Sequence, residues 1–507
     1  MLDTNKLNQL KLDFFTRFGG AEQKEFWSHE EGKAYFLSKA TWAIPRYVQV
    51  HKAWTVMLVR QGILKRDQGA TILAALSRIG LDTIPEMAET YDRRYPKTLM
   101  QLERYLRDKI GNIASNVMLG RTLPPPHYRM MMREAILPLL EAVLEFRGTL
   151  LEYSEKHRDV VMPGYTHYFH AQPMTFGHYL LGFHEAIAHA SNQLETTYAS
   201  VNRCDLGCGA LAGTSFEIDR ALPARLLGFD GFIEHANYCV AGTDQAIDLI
   251  CAMTNLTLPM GRTCTEMYTW CTFEWNMMEI SSKLSETSNM MPQKKNPGLL
   301  EDIRSSVGYV MGSYNECCAR GHNIQWGDSR EVQQLSESTV PIAKKVTQLV
   351  QLYNKVIPEI ILHPEQMLRY AQEGFSTCSE LAAVLVREVG MPFRVTHAIV
   401  AEVVRRLIDK GKTAADTTPE LVDEAAVAII GEPVGLTEEQ IKGAMDPIVF
   451  VETHDSIGGV APKEVLRMVN ERRKDLEAAR RRQKDRLGQL EKADQELEAA
   501  VRELIGG

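Results

Sequence analysis

The sequence is short of positive charge for its length. Its 507 residues carry 57 Lys and Arg against 65 Asp and Glu, a net charge of −8. A chain that binds nucleic acid or an anionic membrane through electrostatics carries a basic surplus, so neither partner is expected. No apolar run is long enough to span a bilayer. Met1 to Phe15 lacks the charged-then-apolar layout of a secretory signal. Together these absences lead to the expectation of a cytoplasmic protein. Cysteine is sparse, nine in all, and a chain of this length folds without disulfides, which fits reduced thiols. Cys204 and Cys208 are four apart and Cys317 and Cys318 adjacent, with no His-rich stretch beside either pair. A metal site is therefore not expected. There is no phosphate-binding loop and no dinucleotide fingerprint, so no cofactor is expected either. Strand-like alternation is scarce, and internal repeats and low-complexity tracts are not evident.

What the sequence does have is helical spacing. Hydrophobic residues make up 45% and charged residues 24%, enough to supply the core of a soluble globular protein. Leu99, Leu102, Leu106, Ile110, Ile113 and Val117 recur in steps of three or four, one face of a helix. Ile136, Leu140, Val143, Leu144 and Leu151 continue the habit. Ile247, Leu249, Ile250, Met253, Leu256 and Leu258 form a run too apolar for a surface helix, which predicts burial in a bundle or between subunits. Breakers fall at Leu119–Pro126, at Gly390-Met391-Pro392 and at Gly458-Gly459. They divide the chain into an N-terminal domain at ~1–110, a central helical bundle at ~111–365 and a C-terminal domain at ~366–507. From ~463 onward, basic and acidic residues interleave with sparse apolar ones. That pattern predicts a solvated helix or helical hairpin ending at Gly506-Gly507.

The densest chemistry lies in Thr287-Ser288-Asn289-Met290-Met291-Pro292-Gln293-Lys294-Lys295-Asn296-Pro297. Two hydroxyls, two cations and three amides share one loop that also holds Pro292 and Pro297. Several donors on a constrained loop suit an anionic ligand. The loop resembles the signature loop of the fumarase/aspartase superfamily, and its Met-Pro-Gln-Lys-Lys-Asn-Pro half is most similar to argininosuccinate lyase. Three further strings agree: Gly164-Tyr165-Thr166-His167 with Ala171-Gln172-Pro173; Leu211 to Arg220; and Phe375-Ser376-Thr377 running to His397. The resemblance spans ~95 to ~465. It implies an all-α, three-domain protein with a long central bundle. It also implies a homotetramer with active sites shared between subunits, acting on a small dicarboxylate-type substrate.

The reaction implied by the resemblance is β-elimination from a succinyl group, releasing fumarate. The proton next to a carboxylate is weakly acidic, so the site needs a base, donors for the developing charge and an acid for the leaving amine. Ser288 matches the family's catalytic base. Lys294 and Asn296 match residues that hold the substrate carboxylate, while Lys295 stands off the matching position. Thr166 and His167 match the family's Thr-His pair. Glu301, thirteen positions after Ser288, matches the Glu paired to that His. Gln172 matches a substrate contact.

Three departures surround the expected substrate. The aligned first loop, Gly120-Arg121-Thr122-Leu123-Pro124, keeps a hydroxyl at Thr122. It has Leu123 and Pro124 where argininosuccinate lyase has Arg and Asn. Thr287 and Asn289 replace a Gly and a Ser beside Ser288. Trp326 and Glu331 replace a Tyr and a Gln that touch the arginine end of the substrate. The sequence thus reads as a carbon–nitrogen lyase acting on an N-substituted aspartate other than argininosuccinate. A catalytically silent relative with a structural or binding role, or a superfamily enzyme with another reaction such as cycloisomerisation, are the alternatives.

Overall fold

The computed structural model describes residues 28–95, 97–122 and 126–506. The first helix, α1 (His29–Arg60), starts at a capping box: Ser28 Oγ accepts from Glu31 N at 3.2 Å, and Ser28 N donates to the Glu31 carboxylate at 2.8 Å. Each bond satisfies a backbone or side-chain group that the helix end would leave open. α2 (Arg66–Leu76), α3 (Ile84–Glu89) and α4 (Thr98–Ile110) pack with α1 around Trp54, Met57, Leu73 and Leu102. The helical face read from Leu99 to Val117 is cut in two. Gly111 adopts φ 77°, ends α4, and leaves Gly111–Met118 as 3₁₀ turns. The apolar spacing continued past a residue whose backbone could not.

The central unit is built from five long helices: α5 (His127–Lys156), α6 (Phe176–Val201), α9 (Asp244–Trp270), α10 (Gly298–Gly321) and α11 (Arg330–Val356). Two short helices, α7 (Ala221–Leu226) and α8 (Ala236–Ala241), precede α9. Directions follow from cross-contacts. Tyr128 at the start of α5 donates to Glu337 near the start of α11 at 3.1 Å, and Phe146 stacks on Tyr353 near their ends at 5.4 Å. Tyr268 at the end of α9 reaches Glu301 at the start of α10. α5, α9 and α11 therefore run one way, and α6 and α10 the other. The phenol of fully buried Tyr353 shares a hydrogen bond with Thr263 Oγ1 at 2.7 Å, so its polar end is satisfied inside the core. Leu249, Ile250, Met253 and Leu256 are buried within this same chain, and Leu258 remains exposed.

Three two-stranded antiparallel sheets gather at the far end of this bundle: β1 (Val161–Thr166) with β2 (Phe169–Thr175), β3 (Met278–Ile280) with β6 (Ile360–Leu362), and β4 (Glu286–Thr287) with β5 (Lys295–Asn296). The rest is helical, as the sequence led one to expect.

The next six helices are α12 (Pro364–Glu373), α13 (Cys378–Val389), α14 (Phe393–Asp409), α15 (Pro419–Ile430), α16 (Glu438–Met445) and α17 (Pro447–Thr453). α13 to α16 close a separate core around Leu385, Ile399, Leu407 and Val422. The charged C-terminal stretch is one 44-residue helix, α18 (Pro462–Ile505), not a hairpin. At 1.5 Å per residue it runs ~66 Å. Val465, Val469 and Leu476 pack on Leu144, Leu151 and Leu181 of the bundle, and Leu497, Val501 and Leu504 complete the N-terminal core. Lys52 and Glu498 pair at 2.7 Å where it arrives.

Leu497 sits in that N-terminal core at 2% exposure. Leu497→Ala should destabilise it by ~2–5 kcal/mol through lost burial and a residual cavity. Amide exchange in α1 and α2 should accelerate while α13 to α16 keep their protection. Uniform exchange across the chain would show that the last turns of α18 contribute little.

Candidate active site

Ser288 sits just after β4, where the chain turns back towards β5. Its Oγ accepts from Met290 N at 3.3 Å and Met291 N at 3.1 Å. Lys294 N donates to Met291 O at 3.1 Å and closes the turn. Two backbone N–H groups aimed at one oxygen favour negative charge on it, the condition a serine needs to act as a base. The Lys294 side chain is exposed and Asn296 half-buried. Lys295 is tied to Glu279 at 3.3 Å, which separates the two neighbouring lysines by role. Pro297 then caps α10. A Cβ on Gly298 would stand 2.7 Å from the Glu286 carboxyl carbon, so the Glu286 carboxylate packs directly on the bare glycine. Glu301, in the first turn of α10, accepts from Tyr268 Oη at 3.0 Å, and the Arg304 guanidinium lies over the Tyr268 ring at 5.1 Å.

Thr166 and His167 occupy the tip of the β1–β2 hairpin. Thr166 pairs with Phe169, and the two turn residues His167 and Tyr168 have φ 52° and 64°. Such two-residue turns ordinarily use Asn or Gly. Left-handed backbone at two larger residues costs roughly 1–3 kcal/mol each. The tip also exposes Tyr168 at 93% and Phe169 at 78%. Behind it, Tyr165 Oη lies 3.4 Å from His170 Nε2, and a Cβ on Gly374 would fall 1.9 Å from His170 Nδ1. Gln172 lies on β2, exposed.

The remaining predicted residues stand at the opposite end of the bundle. Thr122 follows Arg121 near the start of α5. Leu123 and Pro124 lie outside the described residues. Arg121 is buried: its Nε donates to Val117 O at 2.9 Å, it contacts His51, and its guanidinium lies 5.9 Å over Trp54. Burial pulls its pKa down to about 9. Trp326 lies between α10 and α11, 69% exposed, with the Tyr238 ring 6.5 Å away. Glu331 is exposed in the first turn of α11. Its own backbone N–H and Ser329 hold its carboxyl below the usual range.

One chain therefore brings Ser288, Lys294, Asn296 and Glu301 together, with Thr166, His167 and Gln172 on a hairpin at the same end. It does not bring Thr122, Trp326 or Glu331 to them. Along α10, Glu301 is already ~30 Å from the helix end at Gly321, beyond which Trp326 lies. His167 and Glu301 are not bonded to each other.

Residues 124–312 match the family described as Lyase, and residues 375–452 match the argininosuccinate lyase C-terminal family. The chain is 32% identical to the argininosuccinate lyase of Methanosarcina barkeri over 446 residues, covering 87% of this chain and 89% of that one. The chain belongs to the argininosuccinate lyase family. Among solved structures, EDDS lyase in complex with formate superposes with a TM-score of 0.83 at 30% identity, covering 95% of this chain and 96% of that one. An EDDS lyase variant with bound fumarate gives the same TM-score and coverage at 29% identity.

Within this argininosuccinate lyase framework, several supporting residues escaped the sequence reading. Tyr268 is 33 positions from Glu301 and Gly374 is 204 from His170, and nothing in local spacing points to either contact. The bare glycine before Phe375-Ser376-Thr377 was the one available signal. Gly374→Ala should displace His170 and shift the hairpin tip. A ~10–100-fold loss in kcat/KM with an unchanged melting point is expected, since small misplacements of catalytic groups carry large rate costs. Unchanged turnover would separate the hairpin from catalysis.

Proposed function

We propose that the protein is a carbon–nitrogen lyase that eliminates an amine from an N-substituted aspartate and releases fumarate. The observation that carries this reading is the Ser288 turn, with two backbone N–H groups on the serine oxygen and Lys294 six residues on. The names of the relatives support the reaction class, and the formate and fumarate bound to EDDS lyase support carboxylate recognition.

Ser288 Oγ, as the alkoxide, takes the proton from the carbon beside a succinyl carboxylate. The electron pair moves into that carboxylate, and Lys294, Asn296 and Thr166 hold the added charge. The pair returns to form the double bond of fumarate as the C–N bond breaks, and the amine leaves with a proton. Glu301 pairs with His167 across a contact with another copy of the chain, for positioning or proton handling, and Gln172 and Thr122 bind substrate. Ser288→Ala should cost at least ~100-fold in turnover at unchanged assembly. Near wild-type turnover would place the base elsewhere.

The site is completed by other copies of the chain in a homotetramer. Three features support this. The candidate residues lie at both ends of ~36 Å helices, most are exposed in one chain, and the outer face of α10 leaves Gly308, Tyr309, Met311 and Gly312 uncovered. Light scattering should give about four chain masses. Mixing unfolded and refolded Ser288→Ala and Thr122→Val chains should restore up to roughly a quarter of wild-type activity, because random assembly rebuilds intact sites. A monomer, or no recovery, would remove the shared site.

The substrate differs from argininosuccinate. Arg121 is committed to the N-terminal core and cannot replace the cation absent at Leu123. Trp326 and Glu331 favour a far end that is apolar or cationic. Turnover of argininosuccinate should fall well below ~10⁴ M⁻¹ s⁻¹ in kcat/KM, the low end of ordinary enzymes. A panel of amines mixed with fumarate, read by loss of fumarate absorbance, should identify the preferred amine. Argininosuccinate cleavage at or above that value would refute the assignment. Failure of every amine would favour a silent relative.

A further inference from the structure

A polar cleft of about 540 Å³ opens between α5, α6 and α18, lined by none of the residues assigned to the lyase site. Its floor holds two buried side chains, Arg147 and His184, that make no hydrogen bond through Nε or through either ring nitrogen. His184 is fully buried and neither ring nitrogen is hydrogen-bonded. Arg147 is 5% exposed, its Nε is buried and unpartnered, and it makes no ion pair among the described residues. Buried guanidinium groups are ordinarily paired, because an unpaired one loses hydration without replacement.

The acids nearby are engaged or stand off. Glu185 lies 3.7 Å from His184 Nδ1, beyond hydrogen-bond reach, and is held by Arg472. Glu471 pairs with Arg467 at 2.7 Å. Asp475, exposed at the mouth, acts on Arg147 through space. Arg482 reaches Glu195 at 3.5 Å. The floor therefore offers the unpaired Arg147 guanidinium beside a His184 ring that burial keeps neutral, with one nitrogen able to donate.

We infer that this cleft is a second small-molecule site, taking a small carboxylate on Arg147 and His184. A guanidinium and one imidazole match the two oxygens and single charge of a carboxylate. The rim mixes Arg472 and Arg482 with Glu471 and Asp475, and Asp475 makes no ion pair among the described residues, so an ammonium is tolerated there and amino acids fit as well as simple carboxylates.

The test uses the full chain carrying Lys294→Met, which weakens anion binding at the lyase site. Thermal unfolding is followed with acetate, aspartate or inorganic phosphate at matched ionic strength. Acetate or aspartate should raise the midpoint by ~2 °C or more near saturation. Adding Arg147→Met should abolish that rise while leaving the anion-free midpoint equal or higher, because an unpaired buried charge is removed. Arg147→Lys keeps the charge without the fork and should weaken binding by ~10-fold, a check that holds if the Met variant fails to fold. Three results overturn the inference: no rise with either carboxylate, a rise that survives Arg147→Met, or a rise with phosphate as large as with carboxylates.

Discussion

The constraint on which the rest of the structure depends is the fixed rise of the α-helix. Five helices of 24 to 30 residues hold the chemistry-bearing segments at opposite ends of rods ~36–45 Å long. No loop rearrangement within one chain joins Trp326 to Ser288 across that distance. The core holds the rods in register through satisfied polar contacts as well as apolar ones. Tyr353, Thr263, Phe146 and Phe183 form one such layer. α18 extends the same logic by clamping the bundle to the N-terminal core, so two hydrophobic centres share one element.

Against this rigid frame, the groups with chemistry sit on short, strained or glycine-dependent connections. Ser288 lies in a turn beside Gly298, where the Glu286 carboxylate packs close, and His167 in a turn that holds two non-glycine residues at positive φ. Strain at such points persists only where surrounding structure enforces it. Here the enforcement comes from β4–β5 pairing on one side and from the Tyr165, His170 and Gly374 packing on the other.

Much of this was legible in the sequence. Three-to-four spacing marked α5 and α9, and the breakers at 119–126, 390–392 and 458–459 fall between helices. The catalytic strings were legible because their residues are contiguous: Ser288 to Asn296 is one loop, and Thr166-His167 one turn. The spacing misled where apolar periodicity outlived helical backbone, at Gly111. Charge density left helix and hairpin both open in α18, and the single 44-residue helix buries a narrow stripe while most of its surface stays polar. Contacts across chain distance left no local signal. Tyr268 on Glu301, and Arg147 beside His184, depend on which helices meet.

The buried position of Arg121 links fold to specificity. The sequence places a cation, Arg121, two positions before Leu123, where argininosuccinate lyase has Arg, and a flexible side chain could in principle swing across to compensate. The structure assigns that guanidinium to Val117 O, His51 and the Trp54 face instead. Its withdrawal would orphan three contacts and open a cavity in the N-terminal core, a cost of several kcal/mol by the usual penalty for buried polar groups. Compensation at the first loop would therefore work against folding stability. A substrate that places less negative charge there is the easier solution, and the aromatic and acidic side chains at Trp326 and Glu331 stand at that same end of the bundle.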